Sequence, residues 1–399
     1  NCALDKDEVE VEIMGKDRDR KKGRITKIIK RNKTQFVGTF EKNKFIPDDF
    51  KFYKSVDVFD FPKDLAFGTK VLAEIVWTNP NLNPRGKILK IIGKKGEHET
   101  EMQSILLDKG IVYNFPKDVE EEAEKVSRLN LDIKDRRDFR NITTFTIDPK
   151  DAKDFDDALS YEDLGNGKIR VGVHIADVSN FVKSGTALDR EARERSFSTY
   201  LVDRTIPMLP EVLSNGICSL MPNVDRLAFS AVFDIEKGTG KILDRWFGKT
   251  IINSNKRFSY EEAQEVLTSP SPLLVQEGER AGSGLPSPDQ GEGHAQRGVG
   301  FGLALTELNR IANIYRAENK KNGAIEFETD EVRFELDNLG KPIRIYKKAR
   351  LDTMKMVEEW MLLANREVAK FISDKVGKRG GASIFRIHNL PKMERIEEL

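Results

Sequence analysis

The sequence predicts a small β-barrel followed by a larger α+β domain. Three features carry that expectation. Short strand-like segments with interleaved phenylalanines fill the first hundred residues, longer apolar strands begin near residue 136, and amphipathic helical periodicity marks the last fifty.

Composition sets the frame. A length of 399 residues suits two or three domains, and 38% hydrophobic residues can build real cores. No apolar run nears the roughly 18 residues of a membrane span. Lys and Arg number 67 against 66 Asp and Glu, so any charge asymmetry is local. Two cysteines, Cys2 and Cys218, exclude a disulfide scaffold and a cysteine-rich zinc site. The four histidines lie far apart and form no HExxH pair. Hard-cation chemistry on carboxylates is the metal option left. The chain starts at Asn1 and its last residues read as mid-helix, so it is expected to be a fragment of a longer protein.

Residues 1–15 alternate Val9, Val11 and Ile13, as in a half-buried strand. Residues 16–51 hold 13 basic and five acidic residues, a net +8. Strand-like pieces at 23–29, 35–40, 71–76 and 87–92, with Phe36, Phe40, Phe45 and Phe52 among them, suggest the barrel. Basic charge beside aromatics fits single-strand nucleic-acid binding; a solvated basic surface is the alternative. Residues 97–135 read as a charged helical connector, with Pro116 opening a helix whose first turns are acidic. Longer strands follow at 142–147, 169–175 and 229–235. In the second, Ile169, Val171, Val173 and Ile175 share a face, with Arg170, Gly172 and His174 opposite. Residues 353–372 read as a helix whose apolar stripe is Met354, Val357, Met361, Ala364, Val368 and Phe371. The stretch 268–302 holds eight Gly, four Pro and four Ser and is expected to be a disordered surface insertion, with helical pattern resuming near Leu305.

The chemistry concentrates in Ile147-Asp148-Pro149-Lys150-Asp151-Ala152-Lys153-Asp154-Phe155-Asp156-Asp157-Ala158. Five aspartates fall within ten residues after a predicted strand. Two carboxylates about 6 Å apart repel by roughly 3 kcal/mol at an effective dielectric near 20. Apolar flanks at Phe145, Ile147, Phe155 and Leu159 pull the loop onto a core, which favours a cation among the carboxylates over a solvated acidic loop. The spacing fits no EF-hand: position 3 is Lys150 counted from Asp148, and position 5 is Ala158 counted from Asp154. All-oxygen ligands beside a basic module favour Mg²⁺ or Mn²⁺ shared with substrate phosphate. Two such ions suit phosphodiester hydrolysis. No P-loop or side-chain nucleophile motif is present.

This segment resembles the catalytic signature of the ribonuclease II/ribonuclease R (RNB) family. Further matches follow in family order: Gly172-Val173-His174-Ile175-Ala176-Asp177-Val178-Ser179, Ser198-Thr199-Tyr200-Leu201, Ile206-Pro207-Met208-Leu209-Pro210, Val224-Asp225-Arg226-Leu227-Ala228-Phe229-Ser230, Asn322-Gly323-Ala324-Ile325-Glu326-Phe327 and Val357-Glu358-Glu359-Trp360. The resemblance implies an N-terminal cold-shock/OB-type β-barrel followed by an incomplete mixed α+β RNB catalytic domain. Residues 1–15 would end a first cold-shock barrel, 16–96 form a second, 97–135 connect, and 136–399 form the truncated catalytic domain.

The implied activity is Mg²⁺-dependent, processive 3′→5′ exoribonuclease action on single-stranded RNA 3′ ends, releasing nucleoside 5′-monophosphates, by a cytoplasmic monomer. By motif position Asp148, Asp154, Asp156 and Asp157 match the family's four acidic site and metal residues, and Asp151 does not. Tyr200 matches an aromatic near the scissile nucleotide, Phe327 a second base clamp, and Glu359 a ribose contact. The residues alone leave alternatives open: a buried, satisfied hydroxyl for Tyr200, core packing for Phe327, and a Lys355–Glu359 helix pair. His174 reads as a strand residue facing a neighbouring element. The family's later region, with a catalytic arginine and an S1 domain, is expected beyond Leu399. The alternative function is a catalytically inactive RNA-binding protein; a Mg²⁺-dependent DNA nuclease is disfavoured by the motifs.

Residues 268–302 are expected to be dispensable, because so few apolar side chains cannot offset an ordering cost of about 1–2 kcal/mol per residue. A short Gly-Ser replacement should leave the melting temperature nearly unchanged. A large drop in a thermal melt would identify a structural element instead.

Overall fold

Alternating burial closes the barrel first. β3 (Gln35–Glu41), β4 (Lys44–Pro47), β5 (Val56–Val58), β6 (Thr69–Val76) and β7 (Arg85–Lys94) form a closed sheet in the order β3-β4-β5-β7-β6. The computed structural model describes residues 3–17, 20–59, 61–77, 82–269, 300–324, 331–377 and 381–382. The barrel core is Phe36, Phe40, Phe45, Phe52, Val56, Val71, Ala73 and Ile75. The phenylalanines expected to interleave with basic charge as a binding surface are therefore interior. Phe36, Phe40 and Phe45 sit where their strands point inward and Phe52 packs in from the segment before β5, and burying a ring is worth more than leaving it in water. The aromatics at the barrel surface are Phe50, Tyr53, Phe59 and Phe67. α1 (His98–Asp108) packs Met102 and Leu106 inward after β7.

Before the barrel, β1 (Glu8–Asp17) and β2 (Arg20–Lys30) form their own antiparallel ribbon, with Val9 across from Ile28 and Val11 across from Ile25. Residues 20–30 were expected in the barrel with everything from 16 onward. They pair backward with β1 instead, and the barrel is complete without them.

The chain divides into two compact units. The first is Asn1–Pro116 with Phe197–Ile206 and Leu336–Ile343; the second is Lys117–Ser196, Pro207–Glu335 and Arg344–Leu399. The expected connector at 97–135 is thus split, α1 belonging to the first unit and α2 (Lys117–Ser127) to the second.

The second unit is built on a seven-stranded sheet. Its strands are β8 (Arg137–Asp138), β9 (Thr143–Asp148), β10 (Asp157–Gly165), β11 (Lys168–Ala176), β14 (Asp225–Glu236), β15 (Ile242–Asn253) and β16 (Lys256–Ser259), in the order β16-β9-β10-β11-β14-β15-β8. Between β11 and β14 the chain forms α3 (Val178–Phe181), α4 (Ala187–Arg195) and the hairpin β12 (Thr199–Tyr200) and β13 (Thr205–Ile206). That hairpin belongs to the first unit. α5 (Tyr260–Thr268), α6 (Phe301–Lys321) and α7 (Asp352–Gly377) cover one face of the sheet, and β17 (Glu331–Leu336) and β18 (Pro342–Lys348) make a two-stranded ribbon.

On the helical face Phe145, Ile147, Ile169, Val171, Val173 and Phe233 meet Leu305, Leu308, Ile311 and Trp360. The expected alternation in β11 holds for Ile169, Val171 and Val173, but Ile175, expected on the same face, is 45% exposed. The buried stripe of α7 is rotated from the expected one: Met356, Val357, Trp360, Leu363 and Ala364 are buried, while Met354 and Met361 are only partly so. Trp360 carries the largest apolar area and donates its indole N–H to the Leu308 carbonyl at 3.2 Å, which sets the helix rotation.

The other face holds polar groups. His174 is fully buried, joined to Ser230 through Nδ1 at 2.6 Å and to Ser160 through Nε2 at 2.8 Å. Burial lowers its pKa to about 3, so it is neutral and structural. Arg136 and Asp177 form a 2.6 Å ion pair with both side chains 2% exposed. Burial alone would raise the Asp177 carboxyl, but hydrogen bonds from Arg136 and Ser179 outweigh it and hold it below the usual range. Among the described residues no helix is long and apolar enough to cross a membrane. Of the insertion expected at 268–302, residues 270–299 lie outside the described residues; its edges do not fit the expectation, since Thr268 ends α5 and Phe301 and Gly302 open α6.

Gly38 in β3 is a steric requirement of the barrel. A Cβ there would lie 2.3 Å from the Ile46 carbonyl oxygen and 2.7 Å from the Phe45 ring. Gly38→Ala should destabilise the barrel by about 2 kcal/mol. Amide exchange over residues 35–94 should accelerate while the seven-stranded sheet stays protected; uniform protection would show that the barrel yields at no cost.

Candidate active site

The aspartate loop is a connection between neighbouring antiparallel strands. β9 and β10 pair from Thr143–Tyr161 to Phe145–Leu159, then part around the loop 149–156. Asp148 closes β9 and Asp157 opens β10, so both lie at one end of the sheet.

Distant residues pin the loop. Ser219 receives the Phe155 amide at 3.0 Å and donates to the Lys153 carbonyl at 3.0 Å, and the Leu220 amide donates to the Phe155 carbonyl at 2.8 Å. β16 runs parallel to β9 and brings Arg257 alongside Thr146 and Ser259 alongside Asp148. The Arg257 guanidinium donates to the carbonyls of Pro149 at 2.6 Å and Lys150 at 2.7 Å and lies 5.5 Å from the Phe155 ring centre. The Ala176 amide donates to the Asp156 carbonyl.

The resulting electrostatics are unfavourable to ionised carboxylates. Asp148 is buried, and its Oδ2 has no hydrogen-bond partner. Burial pushes its pKa up to about 7, helped by the charges of Asp157 and Asp154. The Thr146 hydroxyl, which stands beside it without closing a hydrogen bond by geometry, and Arg257 pull the other way. Burial raises Asp157 to about 6, with the Asp156 charge adding to it. Asp156 is open to solvent at its surface, yet enough protein surrounds it that lost hydration raises its carboxyl, with Asp154 contributing. The four predicted aspartates thus form one mutually repelling set. Asp151 is exposed, as expected.

Among the described residues no group of three or more His, Cys, Asp or Glu side chains is gathered closely enough to hold a metal ion by itself. The donor set nevertheless fits a hard divalent cation: carboxylate oxygens only, short of hydration, one of them an orphaned buried acceptor. Mg²⁺ keeps several waters and takes one or two carboxylates together with substrate phosphate, so a complete protein cage is not its usual site.

Next to the loop a cleft of about 1550 Å³ is lined by Pro149, Tyr260, Glu359 and a set of cations including Arg316, Lys348, Arg350 and Arg366. Glu359 is buried on α7 and accepts from the Asn319 side chain at 3.1 Å. Burial raises its carboxyl against the pull of Arg366 and Arg316. The alternative Lys355–Glu359 pair does not form; Lys355 lies near Asp352. Tyr200 is 68% exposed at the tip strand of the β12–β13 hairpin, which excludes the buried alternative; it lies in the first unit. Phe327 lies outside the described residues.

Sequence reasoning missed Arg257 and Tyr260. Burial pushes the Tyr260 hydroxyl up to about 12, with the charges of Asp157 and Asp148 adding to it, so it adjoins the aspartates. The signal was weak: Arg257 sits 108 residues after the Pro149 it contacts, in a strand of four residues, and Tyr260 is the first residue of the helix that follows.

Comparison with known proteins finds relatives along the whole chain. The RNB domain family matches residues 136–399 and the cold shock domain family residues 45–116. Ribonuclease R of Thermotoga maritima is 36% identical over 411 residues, covering all of this chain and 54% of that protein. The structure of Mycoplasma genitalium RNase R in complex with ribose methylated single-stranded RNA superposes with a TM-score of 0.83 at 26% identity, over 99% of this chain and 60% of that one. Yeast Ssd1, a pseudonuclease, shares the fold with a TM-score of 0.64 at 22% identity, over 93% of this chain and 44% of its own. The chain spans about half the length of the curated relatives it matches.

The raised carboxyls fix a pH dependence. Their contribution to folding is complete below the unfolded value of about 4. It is lost as the pH rises through about 6 for Asp157 and about 7 for Asp148. Asp148→Asn removes the costly charge and keeps the shape, so without divalent cations it should raise the melting temperature by about 5 °C at pH 8 and hardly at all at pH 4. Equal shifts at both pH values would contradict this electrostatic account.

Proposed function

Because the chain belongs to the RNB family, we propose that its aspartate cleft is the catalytic centre of a 3′→5′ exoribonuclease that degrades single-stranded RNA processively to nucleoside 5′-monophosphates. The observation that carries this reading is the cluster of hydration-starved carboxylates at Asp148, Asp156 and Asp157, with the charge of Asp154 beside them, next to a cleft rich in Arg and Lys. Each set of charges would be destabilising alone; a cation and an RNA phosphate between them would neutralise both.

In this reading the four aspartates hold Mg²⁺, with Mn²⁺ as a substitute. The bound ions would supply an activated water and charge neutralisation at the phosphate. The hydrolysis adds water to the terminal phosphorus and breaks its bond to the preceding O3′. A nucleoside 5′-monophosphate leaves, and the new chain end carries a 3′-hydroxyl. Arg316, Arg350 and Arg366 attract the backbone. Glu359 accepts a hydrogen bond from a ribose hydroxyl, which DNA lacks at the 2′ position. Tyr200 stacks on a base without sequence preference. Arg257 and Ser219 hold the loop so that the carboxylates need not rearrange during reaction.

A second reading, an RNA-binding protein without turnover, is kept because yeast Ssd1, a pseudonuclease, has the same fold. One substitution separates the two. Asp156→Asn, in the intact protein supplied with Mg²⁺, should lower release of mononucleotides from 5′-labelled RNA by about 100-fold or more while affinity stays within about threefold. Stacking and basic contacts are untouched by it. A parent protein that binds RNA and releases nothing would select the second reading.

A further inference from the structure

The hairpin that carries Tyr200 is anchored by side chains no motif drew attention to. Its turn contains Asp203 and Arg204, closed by the Leu201 amide donating to the Arg204 carbonyl at 2.8 Å. Asp203 is nearly buried, its side chain 7% exposed, and its Oδ2 accepts from His98 Nε2 at 2.8 Å and from Arg204 Nη2 at 2.7 Å. Arg204 also donates to Glu99 at 2.6 Å. His98 and Glu99 are the first two residues of α1, the helix that packs on the barrel.

A third segment closes over the pair. Asp337 accepts from the Leu339 and Lys341 amides and forms a turn. Gly340 in that turn has φ +78°, and a Cβ there would lie 3.4 Å from the Asp203 Cβ. Three stretches far apart in sequence therefore converge on one buried carboxylate, all within the first unit.

We propose that His98, through its hydrogen bond to Asp203, is a positioning residue that latches the β12–β13 hairpin to the cold-shock module and so presents Tyr200 to RNA. The inference rests on the reading that Tyr200 stacks on a base. A two-residue ribbon has little stability of its own. Its order comes from the anchor, and an unanchored Tyr200 would lose part of its stacking affinity to the entropy of ordering the turn on binding.

The test combines amide exchange with a double-mutant cycle in the whole chain. His98→Ala should accelerate exchange over residues 197–206 and leave the strands of the barrel protected. Tyr200→Ala should weaken binding of a fluorescein-labelled single-stranded oligoribonucleotide about tenfold. His98→Ala should weaken it about threefold, and in the Tyr200→Ala background should add nothing. His98→Gln, which keeps an N–H donor, should restore both exchange and affinity. Additive losses, or unaltered exchange over residues 197–206, would overturn the proposal alone. A Tyr200→Ala chain that binds like the parent would overturn the reading of Tyr200 and the proposal with it.

Discussion

Negative charge kept out of water at the meeting of β9 and β10 is the constraint on which the second unit turns. Asp148 and Asp157 are raised to about 7 and about 6 because hydration is withheld from them and they repel their neighbours. A loop with that charge density would open into solvent if left to itself. It does not, because its backbone is tied at Lys153, Phe155, Pro149 and Lys150 to Ser219 and Arg257. Those ties satisfy carbonyls and amides rather than carboxylates. The carboxylates are left underemployed, and one oxygen of Asp148 has no partner at all. Stability is given up locally, and in the proposed reading a cation and an RNA phosphate would recover it.

The scaffold around that loop follows the same division. The helical face of the sheet is apolar and closely packed, with Trp360, Phe145 and Phe233 fully buried. The opposite face holds the His174, Ser160 and Ser230 chain and the Arg136–Asp177 pair, each satisfied. Buried polar groups of this kind, fully bonded, fix strand register more sharply than hydrocarbon does. Register matters here because a shift of one residue in β10 would turn Asp157 from one face of the sheet to the other.

The aspartate cluster, the strand before it and the barrel-then-α+β order were legible in the residues, because dense like charge on apolar flanks is a local signal. Helix α7 was legible in extent and misjudged in rotation, since periodicity alone does not tell that Trp360 outweighs two methionines. Strand β10 escaped notice because Ser160 and Glu162 break its apolar run, although Ala158 through Tyr161 are all buried. The phenylalanines of the barrel were legible as aromatics but not as interior, a matter decided by which way each strand faces. Arg257, Tyr260 and the His98–Asp203 contact were invisible for a different reason. The His98–Asp203 contact spans 105 residues and Arg257 reaches Pro149 across 108, separations that no window of sequence records.

That separation has a consequence in time. During synthesis the four aspartates emerge long before Ser219, and longer still before β16 supplies Arg257 and closes the edge of the sheet beside β9. Contacts of such long range form late, because the chain between them must be ordered first. A growing polypeptide therefore carries a complete set of acidic residues with nothing to hold them in place. The geometry that crowds their charges together arises only once β16 has paired with β9.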